Sequence, residues 1–81
     1  MKFFITGGAG YIGTHVSSML LDKGHDIVIL DNFSNSNISS IYALEKLSNQ
    51  SITLYEDDIC DEEALFKILN DHNFEAVIHL A

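Results

Sequence analysis

The chain has 81 residues, of which 47% are hydrophobic and 20% are charged, and its formal net charge is -8. This length allows at most one small domain, and the apolar content is too high for a disordered segment. Twelve acidic residues stand against four lysines, with no arginine. We therefore expect the chain to bind neither nucleic acid nor anionic membrane surfaces, because binding to either requires clustered cations.

Cysteine usage and the N-terminal sequence favour a reducing compartment. Cys60 is the single cysteine, so an intrachain disulfide is excluded. The first apolar run stops at Thr6-Gly7-Gly8, which is too short for a signal peptide, and no run approaches the length of a membrane span. We expect a cytoplasmic protein.

Short apolar runs alternate with helical patterns along the chain. We predict strands over 2–6, 26–30, 51–55 and 76–81, and helices over 11–23, over 38–48 and after Asp61. The order β-α-β-α-β-α-β predicts parallel strands joined by right-handed crossovers. The helices should face the sheet through regularly spaced apolar residues. These are Ile12, Val16, Met19 and Leu20 in the first helix, Ile41, Leu44 and Leu47 in the second, and Leu65, Ile68 and Leu69 in the third.

A glycine-rich turn joins the first strand to the first helix. Residues 8–13, Gly-Ala-Gly-Tyr-Ile-Gly, fit the pattern G-x-G-x-x-G in the context that this pattern requires. Glycines permit the tight turn, let a pyrophosphate approach the main chain and the helix N-terminus, and let the helix pack close to the strand. The alternative is an ordinary glycine-rich turn. We predict dinucleotide binding by this turn, with Gly7, Gly10 and Gly13 as its glycines.

An acidic residue follows the second strand at the spacing expected of a ribose ligand. Asp31 comes 18 residues after Gly13, where a carboxylate accepts hydrogen bonds from the adenosine ribose. A carboxylate there repels the 2′-phosphate of NADP, and residues 31–37 contain no cation. The predicted cofactor is therefore NAD. A turn or capping role is the alternative for Asp31.

Further polar residues lie beside this position. Asn32, Asn35 and Ser36 could add hydrogen bonds near the ribose, with ordinary turn chemistry as the alternative. Asp58 and Ile59 follow the third strand, where the adenine is expected. The alternative for these two residues is a solvated acidic loop.

Five stretches of the chain resemble one enzyme family. They are residues 6–13 (TGGAGYIG), 24–26 (GHD), 31–36 (DNFSNS), 58–59 (DI) and 77–81 (VIHLA). Together they resemble the UDP-glucose 4-epimerases of the extended short-chain dehydrogenase/reductase family, and the resemblance spans the whole chain. The DNFSNS stretch is its most specific part.

The resemblance implies a fold and a set of contacts. The fold would be the N-terminal half of a Rossmann doubly wound parallel sheet, truncated in the fourth strand. The implied contacts are Tyr11 and Ile12 with the pyrophosphate, Asp31 and Asn32 with the ribose, Asn35 and Ser36 nearby, Asp58 and Ile59 with the adenine, and Leu80 and Ala81 beneath the cofactor. Three positions depart from the family: Thr14 replaces Ser, Asp57 replaces Gly and Leu80 replaces Phe. Asp57 adds a charge beside the adenine.

The implied activity belongs to a longer enzyme. Such enzymes interconvert UDP-glucose and UDP-galactose by oxidising C4 with NAD and returning the hydride to the other face. Their catalytic Ser/Thr, Tyr-x-x-x-Lys pair and UDP-sugar domain would follow Ala81. We therefore expect residues 1–81 to be a partial NAD-binding domain of a homodimeric enzyme, marginally stable and inactive alone. The alternatives are a free-standing nucleotide-binding module, or another NAD-dependent nucleotide-sugar epimerase or dehydratase.

Two other patterns are not interpreted as sites. Tyr42 and Lys46 match Tyr-x-x-x-Lys, but they lie on the helix between the second and third strands, whereas the family's pair follows the fifth strand. Six acids fall within residues 56–63, but their spacing fits no calcium loop, and the last three suit a helix N-terminus. The four histidines are not spaced as metal ligands. No metal is predicted.

Overall fold

In the computed structural model, the described residues are 2–33, 37–50, 52–57 and 60–80. They form four strands and three helices, and each boundary lies within two residues of its predicted position. The elements are β1 (Lys2–Thr6), α1 (Tyr11–Asp22), β2 (Asp26–Asp31), α2 (Ser39–Ser48), β3 (Thr53–Glu56), α3 (Glu62–Asp71) and β4 (Ala76–His79). Each helix in these ranges is too short or too polar to span a bilayer.

The four strands form one parallel sheet in the order β3-β2-β1-β4. The chain moves outward from β1 to β3 and then returns across β1 to place β4 on its other side. This order confirms the predicted half of a Rossmann sheet. Ligands of open α/β sheets bind at the carboxyl ends of the strands, at the point where the strand order reverses. In this sheet that point lies between the carboxyl ends of the neighbouring strands β1 and β4.

Both faces of the two central strands are buried. Ile5, Ile27 and Ile29 pack on the face covered by α1 and α2. Phe4 and Val28 pack on the opposite face, which is covered by α3. Each such side chain contributes roughly 1.5–3 kcal/mol when fully buried. Two covered faces explain why these strands are continuous apolar runs.

The predicted inner face of α1 is wrong by about one position. Ile12 and Met19 are 63% and 60% exposed. The buried residues of α1 are Gly13, Ser17 and Leu21. Two of these three are small, and at Gly13 the helix approaches the glycine turn too closely for any side chain.

The other two helices depart less from their predicted faces. In α2, Ile41 and Leu44 are buried as predicted, but Leu47 is 86% exposed. In α3, Ile68 is buried and Leu65 is half-buried, whereas Leu69 is exposed. Each helix therefore contacts the sheet through fewer large side chains than the spacing alone predicts.

The end of α1 and the beginning of α3 both have favourable capping residues. Gly24 follows α1 with a φ of 83°, a left-handed conformation that glycine adopts without steric cost. The Asp61 side chain accepts a hydrogen bond from the Ala64 N–H at 3.2 Å, as a helix N-cap does. Glu62 and Glu63 occupy the first turn of α3, where the helix dipole favours acids.

One reciprocal contact joins the beginning of β1 to the residue before β4. The Lys2 N–H donates to the Glu75 carboxylate, and the Glu75 N–H donates to the Lys2 carbonyl at 2.9 Å. The hydrogen bond from the Lys2 N–H lowers the pKa of Glu75 from its ordinary value of 4.5.

This contact predicts a small acid-dependent loss of stability. A lowered carboxyl pKa stabilises the folded chain above the unfolded pKa near 4.5, and that stabilisation disappears as the pH falls through the lower folded value. Glu75→Gln should flatten the dependence of stability on pH below 4.5, as measured by urea unfolding at several pH values. Glu56→Gln, which removes an exposed acid on β3, is the control. An unchanged profile in Glu75→Gln would contradict the prediction.

Candidate functional site

The glycine turn leaves β1 at the carboxyl edge of the sheet and is fixed to β2. Gly7 has a φ of 74°, and its N–H donates to the Leu30 carbonyl at 2.8 Å. The Gly10 N–H donates to the Gly7 carbonyl at 3.3 Å, which closes the turn. The turn therefore has a defined backbone conformation before α1 begins at Tyr11.

Two of the glycines in this turn have no room for a side chain. A Cβ on Gly13 would lie 2.3 Å from the Gly7 oxygen and 2.7 Å from the Gly8 Cα, so the backbone itself blocks it. A Cβ on Gly8 would lie 2.7 Å from a methyl carbon of Ile29, which is completely buried. These two glycines allow α1, the turn and β2 to pack closely.

Gly10 differs from the other glycines of the turn. A Cβ there would meet only the Gly7 oxygen, at an ordinary contact distance of 3.6 Å, and its φ of -74° suits any residue. Neither the fold nor the backbone conformation therefore requires glycine at this position. The space beside Gly10 is where a ligand can approach the main chain.

The N-terminus of α1 is suited to an anion. Its N-cap is Gly10, which makes no side-chain cap, and its first turn contains no acidic residue. The N–H groups of a first helical turn lack intrahelical acceptors and bear partial positive charge. Tyr11 is 83% exposed here, and Ile12 is also exposed. In α3, by contrast, Asp61 and two glutamates already occupy the corresponding positions.

Asp31 ends β2 and is 9% exposed. One carboxylate oxygen accepts a hydrogen bond from the Ala9 N–H at 3.0 Å, and the other accepts from the Phe33 N–H at 2.8 Å. Phe33 has a φ of 58°, an uncommon conformation for a bulky residue, which the bond to Asp31 stabilises. Both oxygens of Asp31 thus act as acceptors at the end of β2, which is the chemistry that a ribose hydroxyl requires.

Two polar contacts at this edge were not predicted. The Ser40 hydroxyl, on α2, donates to the Ala9 carbonyl at 3.0 Å. The Thr6 hydroxyl lies 2.6 Å from His79 Nδ1. The Leu80 N–H donates to the Thr6 carbonyl at 2.9 Å, so Leu80 is fixed beside the end of β1. The contact between Thr6 and His79 could have been predicted, because these residues end neighbouring strands. No pattern in the sequence indicates the contact of Ser40.

The remaining predicted residues are only partly described. Asn32 is exposed beside Asp31. Asn35, Ser36, Asp58, Ile59 and Ala81 lie outside the described residues. Tyr42 and Lys46 are both exposed on α2. Within the ranges that the structure describes, no three His, Cys, Asp or Glu side chains are grouped as metal ligands.

The strand order, together with a glycine turn that leads from β1 into α1, defines a Rossmann-type α/β protein. Residues 4–81 match the profile of the family described as GDP-mannose 4,6 dehydratase, and the chain belongs to that family.

Individual relatives are UDP-glucose 4-epimerases. The chain is 47% identical over 81 residues to the enzyme of Klebsiella pneumoniae and 46% identical over 77 residues to that of Schizosaccharomyces pombe. These matches cover 100% and 95% of this chain, which spans 58% and 22% of the relatives' lengths. A crystal structure of the Bifidobacterium longum enzyme in complex with NAD+ and UDP matches the whole chain with a TM-score of 0.98 and 33% identity. The chain covers 24% of that structure.

Proposed function

We propose that these 81 residues are the part of a UDP-glucose 4-epimerase that binds the adenosine and pyrophosphate of NAD. The main supporting observation is the space at Gly10, beside a helix N-terminus without a side-chain cap, in a turn where Gly8 and Gly13 have no room for a side chain. The similarity to an epimerase solved with NAD+ and UDP supports the same proposal. The proposal includes a cytoplasmic location, where the thiol of Cys60 would remain reduced.

The proposed site assigns a role to each group of residues. The N–H groups of Tyr11 and Ile12 bind the pyrophosphate, Asp31 and Asn32 bind the ribose, and Leu80 lies beneath the cofactor. Asn35, Ser36, Asp58, Ile59 and Ala81 complete the predicted set. NAD, when bound, accepts and returns the hydride of the sugar C4. The residues of this chain fix its adenosine end, while UDP-glucose and a homodimeric partner belong to the proposed whole enzyme.

Gly10→Ala tests the proposed cofactor site. The added methyl group fits the ligand-free turn but occupies the space through which a pyrophosphate approaches. We expect NAD affinity, measured by calorimetric titration, to fall at least about tenfold, since one misplaced contact of about 1.4 kcal/mol has that effect. The thermal midpoint should change little.

Ser18→Ala is the matched control, because Ser18 is exposed on α1 beyond the first turn. It should leave both affinity and stability unchanged. Unchanged NAD affinity in Gly10→Ala would count against pyrophosphate binding at this turn.

The isolated 81-residue chain is expected to lack epimerase activity. Its single Tyr-x-x-x-Lys match consists of Tyr42 and Lys46, which lie exposed on α2. No other tyrosine of the chain has a lysine four residues later to lower its pKa for proton removal from the sugar. Incubation with UDP-glucose and NAD should therefore yield no UDP-galactose. Activity in the purified chain that disappears in Tyr42→Phe would refute this expectation.

The family match favours a second candidate, the NAD-binding part of a nucleotide-sugar dehydratase. The two candidates share the cofactor site and differ in the sugar nucleotide of the whole enzyme. An assay of the whole enzyme with UDP-glucose and GDP-mannose distinguishes them. Epimerisation of UDP-glucose supports the first candidate, and water loss from GDP-mannose supports the second.

A further inference from the structure

Ala9, the central residue of the glycine turn, is hydrogen-bonded through both its N–H and its carbonyl. Ala9 is buried, its N–H donates to Asp31 at 3.0 Å, and its carbonyl accepts from Ser40 at 3.0 Å. The N–H belongs to the Gly8–Ala9 peptide plane and the carbonyl to the Ala9–Gly10 plane. Each of the two planes that flank the Ala9 Cα is therefore fixed by a different side chain.

These two side chains lie at opposite ends of one loop. Asp31 ends β2, and Ser40 is the second residue of α2. Ser40 is itself well fixed, because its N–H donates to the Asn37 carbonyl at 3.0 Å, and its one hydroxyl proton is shared between that carbonyl at 2.7 Å and the Ala9 carbonyl at 3.0 Å. The Asn37 side chain accepts from the Ser39 N–H at 3.0 Å. Asp31 and Ser40, which flank the loop between β2 and α2, thus both contact Ala9 of the glycine turn. We call this loop the ribose loop and the glycine turn the pyrophosphate turn, after their proposed ligands.

We propose that Ser40 is a positioning residue for the cofactor, which couples the ribose loop to the pyrophosphate turn through the Ala9 carbonyl. The inference rests on the proposed function. Without the hydroxyl, the Ala9–Gly10 peptide plane loses one hydrogen bond and keeps the long one from the Gly10 N–H to the Gly7 carbonyl at 3.3 Å, so the plane rotates more easily. The N–H of that plane belongs to Gly10, the residue beside which the pyrophosphate is proposed to approach. Binding of a pyrophosphate therefore depends on Ser40, although its hydroxyl is directed at the protein backbone.

The test compares a ligand with a pyrophosphate to one without. In the whole enzyme that contains this chain, Ser40→Ala should lower NAD affinity about three- to tenfold, the effect of losing one hydrogen bond of about 1 kcal/mol. Its affinity for adenosine, measured by NMR titration, should change less than twofold. Ser40→Thr keeps the hydroxyl and should restore NAD affinity. Ser39→Ala, at an exposed neighbouring residue, is the matched control and should bind both ligands normally.

The outcomes separate this inference from the proposed function. A whole enzyme that contains this chain and is folded by circular dichroism but binds no NAD refutes the proposed function. Normal NAD affinity in Ser40→Ala overturns the positioning role while leaving that function intact. Equal losses for NAD and adenosine, or failure of Ser40→Thr to rescue, show a merely structural role and also overturn it. If Ser40→Ala is unfolded, Ser40→Cys, which retains the volume but donates weakly, is held to the same criteria.

Discussion

Replacing Gly13 by alanine is expected to lower the free energy of unfolding by about 3 kcal/mol or more, the range of severe overpacking. The added Cβ would lie 2.3 Å from the Gly7 oxygen and 2.7 Å from the Gly8 Cα. Both obstructing atoms are backbone, so they cannot move aside as a flexible side chain does. The turn or the first residues of α1 would have to shift. Urea unfolding followed by circular dichroism measures the loss.

Gly10→Ala is the matched comparison for this effect, since it adds the same methyl group at a position with space. Its free energy of unfolding should remain within about 1 kcal/mol of wild type, since the cost of alanine at an N-cap opposes the gain from a less flexible unfolded chain. The two substitutions thus separate a glycine required for folding from one proposed for binding. Equal unfolding midpoints for both variants would contradict this distinction.

Asp31→Ala is expected to reduce NAD affinity by about a hundredfold or more, equivalent to roughly 2.7 kcal/mol. It removes the proposed ribose acceptor, and it also removes the partner of the buried Ala9 N–H. An unsatisfied buried donor costs about 1–3 kcal/mol, so the thermal midpoint should fall as well. Calorimetric titration with NAD, for wild type and variant, measures the change in affinity. Equal affinities would refute the role of Asp31 in binding.

Asp31→Asn removes the charge of this side chain and keeps an acceptor for one of the two N–H groups that it binds. Asparagine retains an acceptor oxygen but no longer repels a 2′-phosphate. We expect the ratio of NADP to NAD affinity to rise about tenfold, because roughly 1.4 kcal/mol of repulsion is relieved. Asp26→Asn removes an exposed charge at the opposite end of β2 and should leave the ratio unchanged. A ratio unaffected by Asp31→Asn would indicate that Asp31 does not select against NADP.

The sequence was sufficient to predict the fold because each strand is a run of large apolar residues between turns. It was a poorer guide to how α1 packs. Periodicity selects large residues such as Ile12 and Met19, whereas the close approach of α1 to the turn requires Gly13. The distinction depends on the distance between elements, which a pattern along one helix does not contain.

The candidate site was also only partly predictable. The glycine pattern and the spacing of Asp31 identified the turn and the end of β2. They gave no indication that Asp31 also binds the Ala9 N–H, or that Ser40 binds the Ala9 carbonyl, since both contacts join segments 22 and 31 residues apart. Such contacts depend on side-chain direction after folding. The adenine contacts of Asp58 and Ile59 remain predictions.

The position of β1 between β2 and β4 determines the order in which the site can assemble during synthesis. β2 follows β1 closely, but the Lys2–Glu75 contact joins residues 73 positions apart. At about 5–20 residues per second, a ribosome takes roughly 4 to 15 s to span that distance. The turn and Asp31 can therefore form on a β1–β2 pair while the other side of β1 is still an open edge. The Thr6–His79 contact cannot form before β4 has been synthesised, so it becomes possible later than the contacts of the glycine turn with Asp31.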